Sequence, residues 1–268
     1  MSDPAIVVVA DPAAASVEAA ARIVAALGDA TEARGRADWA TTGGSAPIGI
    51  YERLVAPPLA DSVPWAAVRV WWGDDRYVSR DHPESNVKPF DDIMMGISGA
   101  EEGTAGGMHA GVPIEIENVH PFPTEEAIGS GRGAAWCAAF LADELRDAGL
   151  PIVGGWPAFD LILLGVGPDG HLLSVFPGSA AFDATELALA IPAPTHIEPH
   201  VERVTLNPAV IGAAASVLVV VTGAEKATVI REIFGTERDP RKWPAQLALR
   251  AGATWILDEA AAAGLPGR

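Results

Sequence analysis

The sequence predicts an α/β fold: a doubly wound, mostly parallel sheet flanked by helices on both faces, Rossmann-like in layout. Two observations predict it. The runs Val68–Trp72, Leu161–Leu164 and 217–221 are near-continuously apolar, as strands covered on both faces are. Stretches with apolar residues at helical spacing alternate with such runs from one end of the chain to the other, the order that winds helices around a parallel sheet.

In chain order, residues 6–10 form a short β-branched run that reads as a buried strand. Asp11-Pro12 follows, and Val17, Ala20, Ala21, Val24 and Leu27 then recur at helical spacing. Residues 39–42 read as the next strand, leading into Gly43-Gly44-Ser45-Ala46-Pro47 and a helical stretch through Tyr51 and Leu54. Val68–Trp72 runs into Gly73-Asp74-Asp75-Arg76. The segment 98–123 is Gly-rich and acidic with scattered Pro. It is expected to be a surface insertion within a single domain spanning 1–268. Ala135, Ala139, Ala142, Leu145 and Ala148 mark another helix. Leu161–Leu164 leads into Gly165-Val166-Gly167-Pro168-Asp169-Gly170-His171, and 217–221 into Thr222-Gly223-Ala224-Glu225-Lys226. Val229, Ile230 and Ile233 continue the latter as a helix.

At 268 residues and 49% hydrophobic content, the chain can bury one large core. No apolar run reaches the ~20 residues of a membrane span. The opening MSDPAIVVVA has no positive charge ahead of its apolar run, so no secretory signal, no membrane partner and a cytoplasmic location are expected. The single cysteine, Cys137, excludes an internal disulfide framework and a cysteine zinc cage. Its neighbours AAWCAAF put it on a buried helix face. A net charge of −17 argues against nucleic acid. A small anionic ligand would have to meet a local cluster of Arg, Lys and backbone N–H groups that overcomes the global field.

Ligands of open parallel sheets bind beyond the carboxyl ends of the strands. Here four strand ends each deliver glycine together with a polar or charged group. Gly43 and Gly44 let the backbone approach a ligand, Ser45 adds a hydroxyl, and the next helix aims N–H groups at it, which suits phosphate. Ser45 as an N-cap, with Pro47 in the first turn, explains the same residues without a ligand. Lys226 either meets an anion near a helix start, where a cation is otherwise disfavoured, or is simply solvated. Arg203 faces an anion or pairs with Glu202, and Arg76 faces one or neutralises Asp74 and Asp75. Asp169 and His171 make an Asx turn with an exposed imidazole, or an acid–base pair in which the carboxylate holds the tautomer. His82, His109, His120, His196 and His200 show no metal-ligand spacing, so no metal or other cofactor is expected.

Several of these blocks stand in a recognisable order: Gly43 to Pro47, Trp72 to Arg76 with Ser85-Asn86 downstream, Gly165 to His171, Ser174 to Gly178, Arg203-Val204-Thr205, and Gly223 to Ala227. In that order, over roughly residues 5–262, the chain resembles the lactonase branch of the glucosamine/galactosamine-6-phosphate isomerase family. The resemblance implies hydrolysis of 6-phospho-D-glucono-1,5-lactone to 6-phospho-D-gluconate in the oxidative pentose phosphate pathway. It implies a small phosphorylated sugar lactone as partner and a monomer or small homo-oligomer. Ser45, Arg76, Arg203 and Lys226 would surround the phosphate and sugar hydroxyls, with Gly43 and Gly44 completing the anion site and Asp74 and Asn86 also facing substrate. His171 would be the general base, oriented by Asp169. So activated an ester needs no metal or covalent nucleophile, because a placed base and preorganised oxyanion donors suffice.

Two residues depart from the family pattern: Asp75 stands where glutamate is usual, and Ala46 where threonine commonly precedes the proline. The nearest rival activity is amino-sugar-6-phosphate isomerisation and deamination, which needs more acid–base groups. Related deaminases carry Asn-Glu-Pro where this chain has Val175-Phe176-Pro177, and a tyrosine where it has Arg76, so hydrolysis is expected. A non-catalytic sugar-phosphate sensor of the same fold would need a DNA-binding segment, and none is expected of an acidic chain that opens directly on its first strand.

Overall fold

The computed structural model describes residues 3–44, 46–97 and 111–267. The chain runs β1 (Ala5–Val9), α1 (Pro12–Arg34), β2 (Ala37–Thr41), α2 (Ala46–Leu54), β3 (Val68–Trp72), β4 (Asp74–Arg76), α3 (Lys88–Ile93) and β5 (Val119–His120). It continues through α4 (Thr124–Gly129), α5 (Ala134–Asp147), β6 (Ile152–Val153), β7 (Trp156–Pro157), β8 (Leu161–Leu164), β9 (Ala188–Ile191) and β10 (Arg203–Leu206). Then come α6 (Ala209–Ala213), β11 (Ser216–Val221), α7 (Ala227–Gly235), β12 (Ala253–Asp258) and α8 (Glu259–Ala262).

Seven strands form one sheet in the order β1-β12-β11-β8-β2-β3-β5, and every pairing in it is parallel. This is the α/β sheet that the apolar runs predict. Every residue of β2 and β8 is buried. α1 lies against β2, β8, β11 and β12. Its start is set by Asp11, whose side chain accepts the Ala14 N–H at 2.8 Å, followed by Pro12 at the first helical position. Its end is set by Gly35, at φ 73°, whose N–H reaches the Thr31 carbonyl. Trp39, Tyr51 and Phe90 pack edge to face in the core between β2, α2 and α3, with centroids 5.5 to 6.2 Å apart.

The order of strands positions the site. From β2 the chain builds outward to β3 and β5 on one side, while β8 is followed by β11 and β12 on the other. β2 and β8 are neighbours, with Trp39 opposite Leu161, and the connections leaving them diverge. Divergence at adjacent parallel strands opens a crevice above their carboxyl ends.

A second sheet, which sequence periodicity does not announce, closes one side of that crevice. It is antiparallel, in the order β4-β10-β9. Only Gly73 separates β3 from β4, so the chain passes from one sheet to the other across a single residue. Gly73 holds both sides, its N–H bonding the Thr41 carbonyl at 2.9 Å and its carbonyl the Leu206 N–H at 2.8 Å. The β4–β10 register sets Arg203 opposite Arg76 and Thr205 opposite Asp74. Of the segment 98–123, residues 98–110 lie outside the described residues; Val119–His120 pairs with β3 as the edge of the large sheet.

Candidate active site

A cleft of about 270 Å³ opens above β2 and β8. The four strand ends that the sequence brings to notice all reach it. Gly43 and Gly44 come from β2, Asp74 and Arg76 from beyond β3, Gly165 to Pro168 and His171 from β8, and Lys226 from beyond β11. Asn86 and Arg203 complete the set of expected residues on its wall. Asp169 sits behind His171 rather than on the wall, and Ser45 lies outside the described residues.

The loop after β2 is glycine for a steric reason. A Cβ on Gly43 would fall 1.7 Å from Asn86 Oδ1, so the Asn86 side chain crosses a space that any other residue would fill. Asn86 Nδ2 donates to the Asp74 carbonyl at 2.8 Å and to Asp74 Oδ1 at 3.3 Å, which leaves its own buried Oδ1 without a partner. Ser174 Oγ donates to the other Asp74 oxygen at 2.6 Å. Asp74 is thus held from two sides with its carboxylate at the cleft.

Asp75, one methylene shorter than the family residue, faces the protein instead. Its Oδ1 accepts the backbone N–H groups of Arg76 and Asn86, both at 2.7 Å, and Ser85 Oγ donates to Oδ2 at 3.3 Å. Complete burial pushes its carboxyl up to about 7, against the pull of those backbone donors, and the Asp74 charge adds to the rise. Asp75 ties β4 to the segment that carries Ser85 and Asn86.

Three cations surround the space. Arg76 donates to the Glu84 carbonyl at 2.6 Å and lies 3.7 Å from the Glu84 carboxylate, so it is not spent on Asp74 or Asp75. Arg203 donates to the Pro199 carbonyl at 2.9 Å, and its buried Nε has no partner. Lys226, the residue that caps α7, donates from Nζ to the Val166 carbonyl at 2.8 Å. Burial lowers the proton affinity of Arg203, with the Arg76 charge adding to it. Burial also lowers that of Lys226. Cations held partly desolvated and close together favour an anion between them.

Opposite stands the loop after β8. Its turn is closed by Gly167 N–H to the His171 carbonyl at 2.9 Å and Gly170 N–H to the Gly167 carbonyl at 3.1 Å. His171 Nδ1 lies 2.5 Å from Asp169 Oδ1, and the His171 backbone N–H donates to the same oxygen at 3.2 Å. A Cβ on Gly167 would stand 2.0 Å from the His171 ring, so glycine there makes room for the imidazole. Burial alone would raise the Asp169 carboxyl, but the hydrogen bond and charge of His171 and the hydrogen bond of His196 outweigh it and hold it far below the usual carboxylate range. Just beyond, Leu173 adopts φ 55°, uncommon for a bulky residue, and contributes to the wall of the cleft.

Sequence reasoning missed part of this wall. Ile197 and Glu198 line the cleft, and His196 Nε2 lies 2.9 Å from Asp169 Oδ2. All three come from an irregular stretch before β10 that has no periodicity and no motif, so nothing local marks them. Phe176 was legible as a departure from the deaminase pattern, but not as the ring that packs between His171 and His196, with centroids at 4.8 and 5.5 Å. Among the described residues, no group of three or more His, Cys, Asp or Glu is placed to hold a metal ion, and no helix is long and apolar enough to cross a membrane.

The model for glucosamine-6-phosphate isomerases/6-phosphogluconolactonase matches residues 10–256. A 6-phosphogluconolactonase of Synechocystis sp. is 34% identical over 87% of this chain and 86% of its own length. One from Streptomyces coelicolor is 32% identical over 99% of this chain and 97% of its own. The solved 6-phosphogluconolactonase of Trypanosoma cruzi superposes with a TM-score of 0.81 at 28% identity, covering 99% of this chain and 98% of that one. With its fold, its cleft and its near full-length matches in agreement, the chain belongs to the glucosamine-6-phosphate isomerase/6-phosphogluconolactonase family.

Proposed function

We propose that this protein hydrolyses 6-phospho-D-glucono-1,5-lactone to 6-phospho-D-gluconate, with His171 as general base. The observation that carries the reading is the His171–Asp169 pair facing three cations across one cleft; of the three, among the described residues, only Arg76 has a carboxylate in salt-bridge reach, Glu84 at 3.7 Å. With Nδ1 bonded to an ionised carboxylate, the free lone pair of His171 is on Nε2, where it can take a proton from water. That water attacks the lactone carbonyl while Asp169 stabilises the imidazolium as it forms. Collapse of the tetrahedral intermediate breaks the bond to the ring oxygen, and the imidazolium returns its proton to that oxygen. Arg76, Arg203 and Lys226 suit the phosphate, and backbone N–H groups of the Gly43–Gly44 loop are available to an oxyanion. Relatives named 6-phosphogluconolactonase support the same substrate.

Phe176 favours this chemistry over deamination, because an apolar ring occupies the place from which a carboxylate would assist proton transfer between carbons. The test is lactone turnover with uncatalysed hydrolysis subtracted. His171→Ala is expected to lose ~10²–10⁴-fold in kcat, the usual worth of a placed base. Unchanged turnover in that variant would refute His171 as the base, and a wild type no faster than background would refute the activity itself. Ammonia release from glucosamine 6-phosphate at a comparable rate would reassign the site.

A further inference from the structure

Asp169 is held at both of its oxygens. Oδ1 takes His171 Nδ1 at 2.5 Å, and Oδ2 takes His196 Nε2 at 2.9 Å. An ionised carboxylate only accepts, so both ring nitrogens donate. The second donor therefore fixes a tautomer of its own: His196 carries its proton on Nε2. Both rings also pack against Phe176, with centroids at 4.8 and 5.5 Å. His196 thus contacts Asp169 directly and also Phe176, which lines the cleft beside His171, without itself lining the cleft.

We propose that His196 is a positioning residue for the hydrolysis: by holding the outer oxygen of Asp169, it fixes the carboxylate that aims His171 and moderates that carboxylate's pull on the His171 proton. The inference rests on the general-base reading above. A carboxylate turns about its last torsion over a broad, roughly two-fold range. One donor on one oxygen leaves that motion soft, whereas donors on opposite oxygens oppose it. The same contact withdraws negative charge from the oxygen facing His171, which weakens its hold on the His171 proton. Without His196, Asp169 would grip the His171 proton harder.

Other charged groups bear on this pair. Lys226 and Glu225 approach from beyond β11; Arg76, Asp74 and Arg203 face it from the small sheet; Glu198 and His200 share the stretch that carries His196, paired at 3.1 Å. All of them persist when His196 alone is replaced, so a difference between variants isolates His196. The ring is half-exposed, and water can replace part of its hydrogen bond. That sets the expected size at several-fold, well short of the loss of the base itself.

The experiment compares wild type, His196→Ala and His196→Gln in two measurements. One is kcat and KM for the lactone across pH; the other is an NMR titration of the His171 imidazole without substrate. In His196→Ala, kcat should fall roughly 3- to 10-fold, a fraction of the ~10²–10⁴ supplied by a placed base, with KM within about twofold. Its His171 midpoint and the acid limb of kcat/KM should both lie above those of the wild type, as Asp169 loses a competing donor. Glutamine carries an amide N–H at the reach of Nε2, so His196→Gln should recover most of kcat and return the midpoint. A His196→Ala protein with unshifted midpoint and unaltered kcat overturns the inference, as does a His196→Gln protein no better than alanine in both measurements. A wild type that fails to hydrolyse the lactone overturns the lactonase reading instead, and the titration still reports whether His196 governs Asp169.

Discussion

The proposed mechanism gives Asp169 and His171, two residues apart, different work, and substitutions can separate the two roles. Asp169→Asn replaces an oxygen-only acceptor with a group that can also donate. If the amide N–H turns toward His171 Nδ1, the imidazole is driven to the other tautomer and its Nε2 is no longer basic. The expected result is a loss of kcat of about 10²-fold or more with little change in KM, measured with background hydrolysis subtracted; a change confined to KM would count against the orienting role. In the proposed mechanism the cations bind the other end of the substrate. Arg203→Ala and Lys226→Ala should each raise KM for the phosphorylated lactone by about tenfold or more, while glucono-1,5-lactone without phosphate is affected by roughly twofold at most. Equal effects on the two lactones would remove the phosphate assignment. The Asp169–His171 pair is legible from the sequence because its members share one short loop. His196 is not, because it reaches Asp169 from 27 residues away along irregular chain, and such a contact is made only by the fold.

At the scale of elements, β3, β8 and β11 were readable because strands of a parallel sheet are buried on both faces and appear as apolar runs. β3 and β8 keep the bounds read from the sequence, while β11 starts one residue earlier and β2 is Ala37–Thr41 rather than 39–42. β1, read as a buried strand over 6–10, is Ala5–Val9 and, at the edge of the sheet, is exposed to half-buried. β5 and the β4-β10-β9 sheet were not readable. β5 is two residues long, and β4 reads Asp-Asp-Arg, a composition that is a strand only because β10 supplies its hydrogen bonds. The glycines were legible as loop markers, but what each makes room for was not. Gly167 makes the point testable. Its φ is not in the left-handed region, so alanine there is obstructed by the His171 ring rather than by its own backbone. Gly167→Ala should displace the imidazole, lowering kcat by at least about tenfold while thermal unfolding changes little. A variant with full activity would show that the ring and the loop adjust together.

The whole molecule carries a net charge of −17 yet gathers Arg76, Arg203 and Lys226 around one cleft, and Asp75 shows how a carboxylate can sit beside Arg76 and Arg203 without cancelling them. Buried and bonded to backbone N–H groups, it has a carboxyl raised to about 7. Near neutral pH it therefore carries its proton for part of the time and adds less negative charge to the cleft than an exposed aspartate would. The same shift bears on global stability, and its sign follows from linkage. In the unfolded chain Asp75 releases its proton near the ordinary ~3.9. Between there and about 7 the folded protein holds a proton that the unfolded chain does not. This group's stabilisation is therefore complete below ~3.9 and is lost as pH rises through the folded value, by at most roughly 1.4 kcal/mol per pH unit within the window. Asp75→Asn removes the titration but keeps the architecture, since an amide oxygen can accept the Arg76 and Asn86 N–H groups and its NH₂ can face Ser85 Oγ. Urea unfolding of both proteins at pH 5 and pH 7.5 isolates the effect, because the other carboxylates titrate alike in each and cancel in the difference. The wild type should lose more stability than Asp75→Asn over that interval. Parallel pH profiles would mean that Asp75 is ionised throughout, its burial offset by the backbone donors, and that the cleft meets its anion against one more full negative charge.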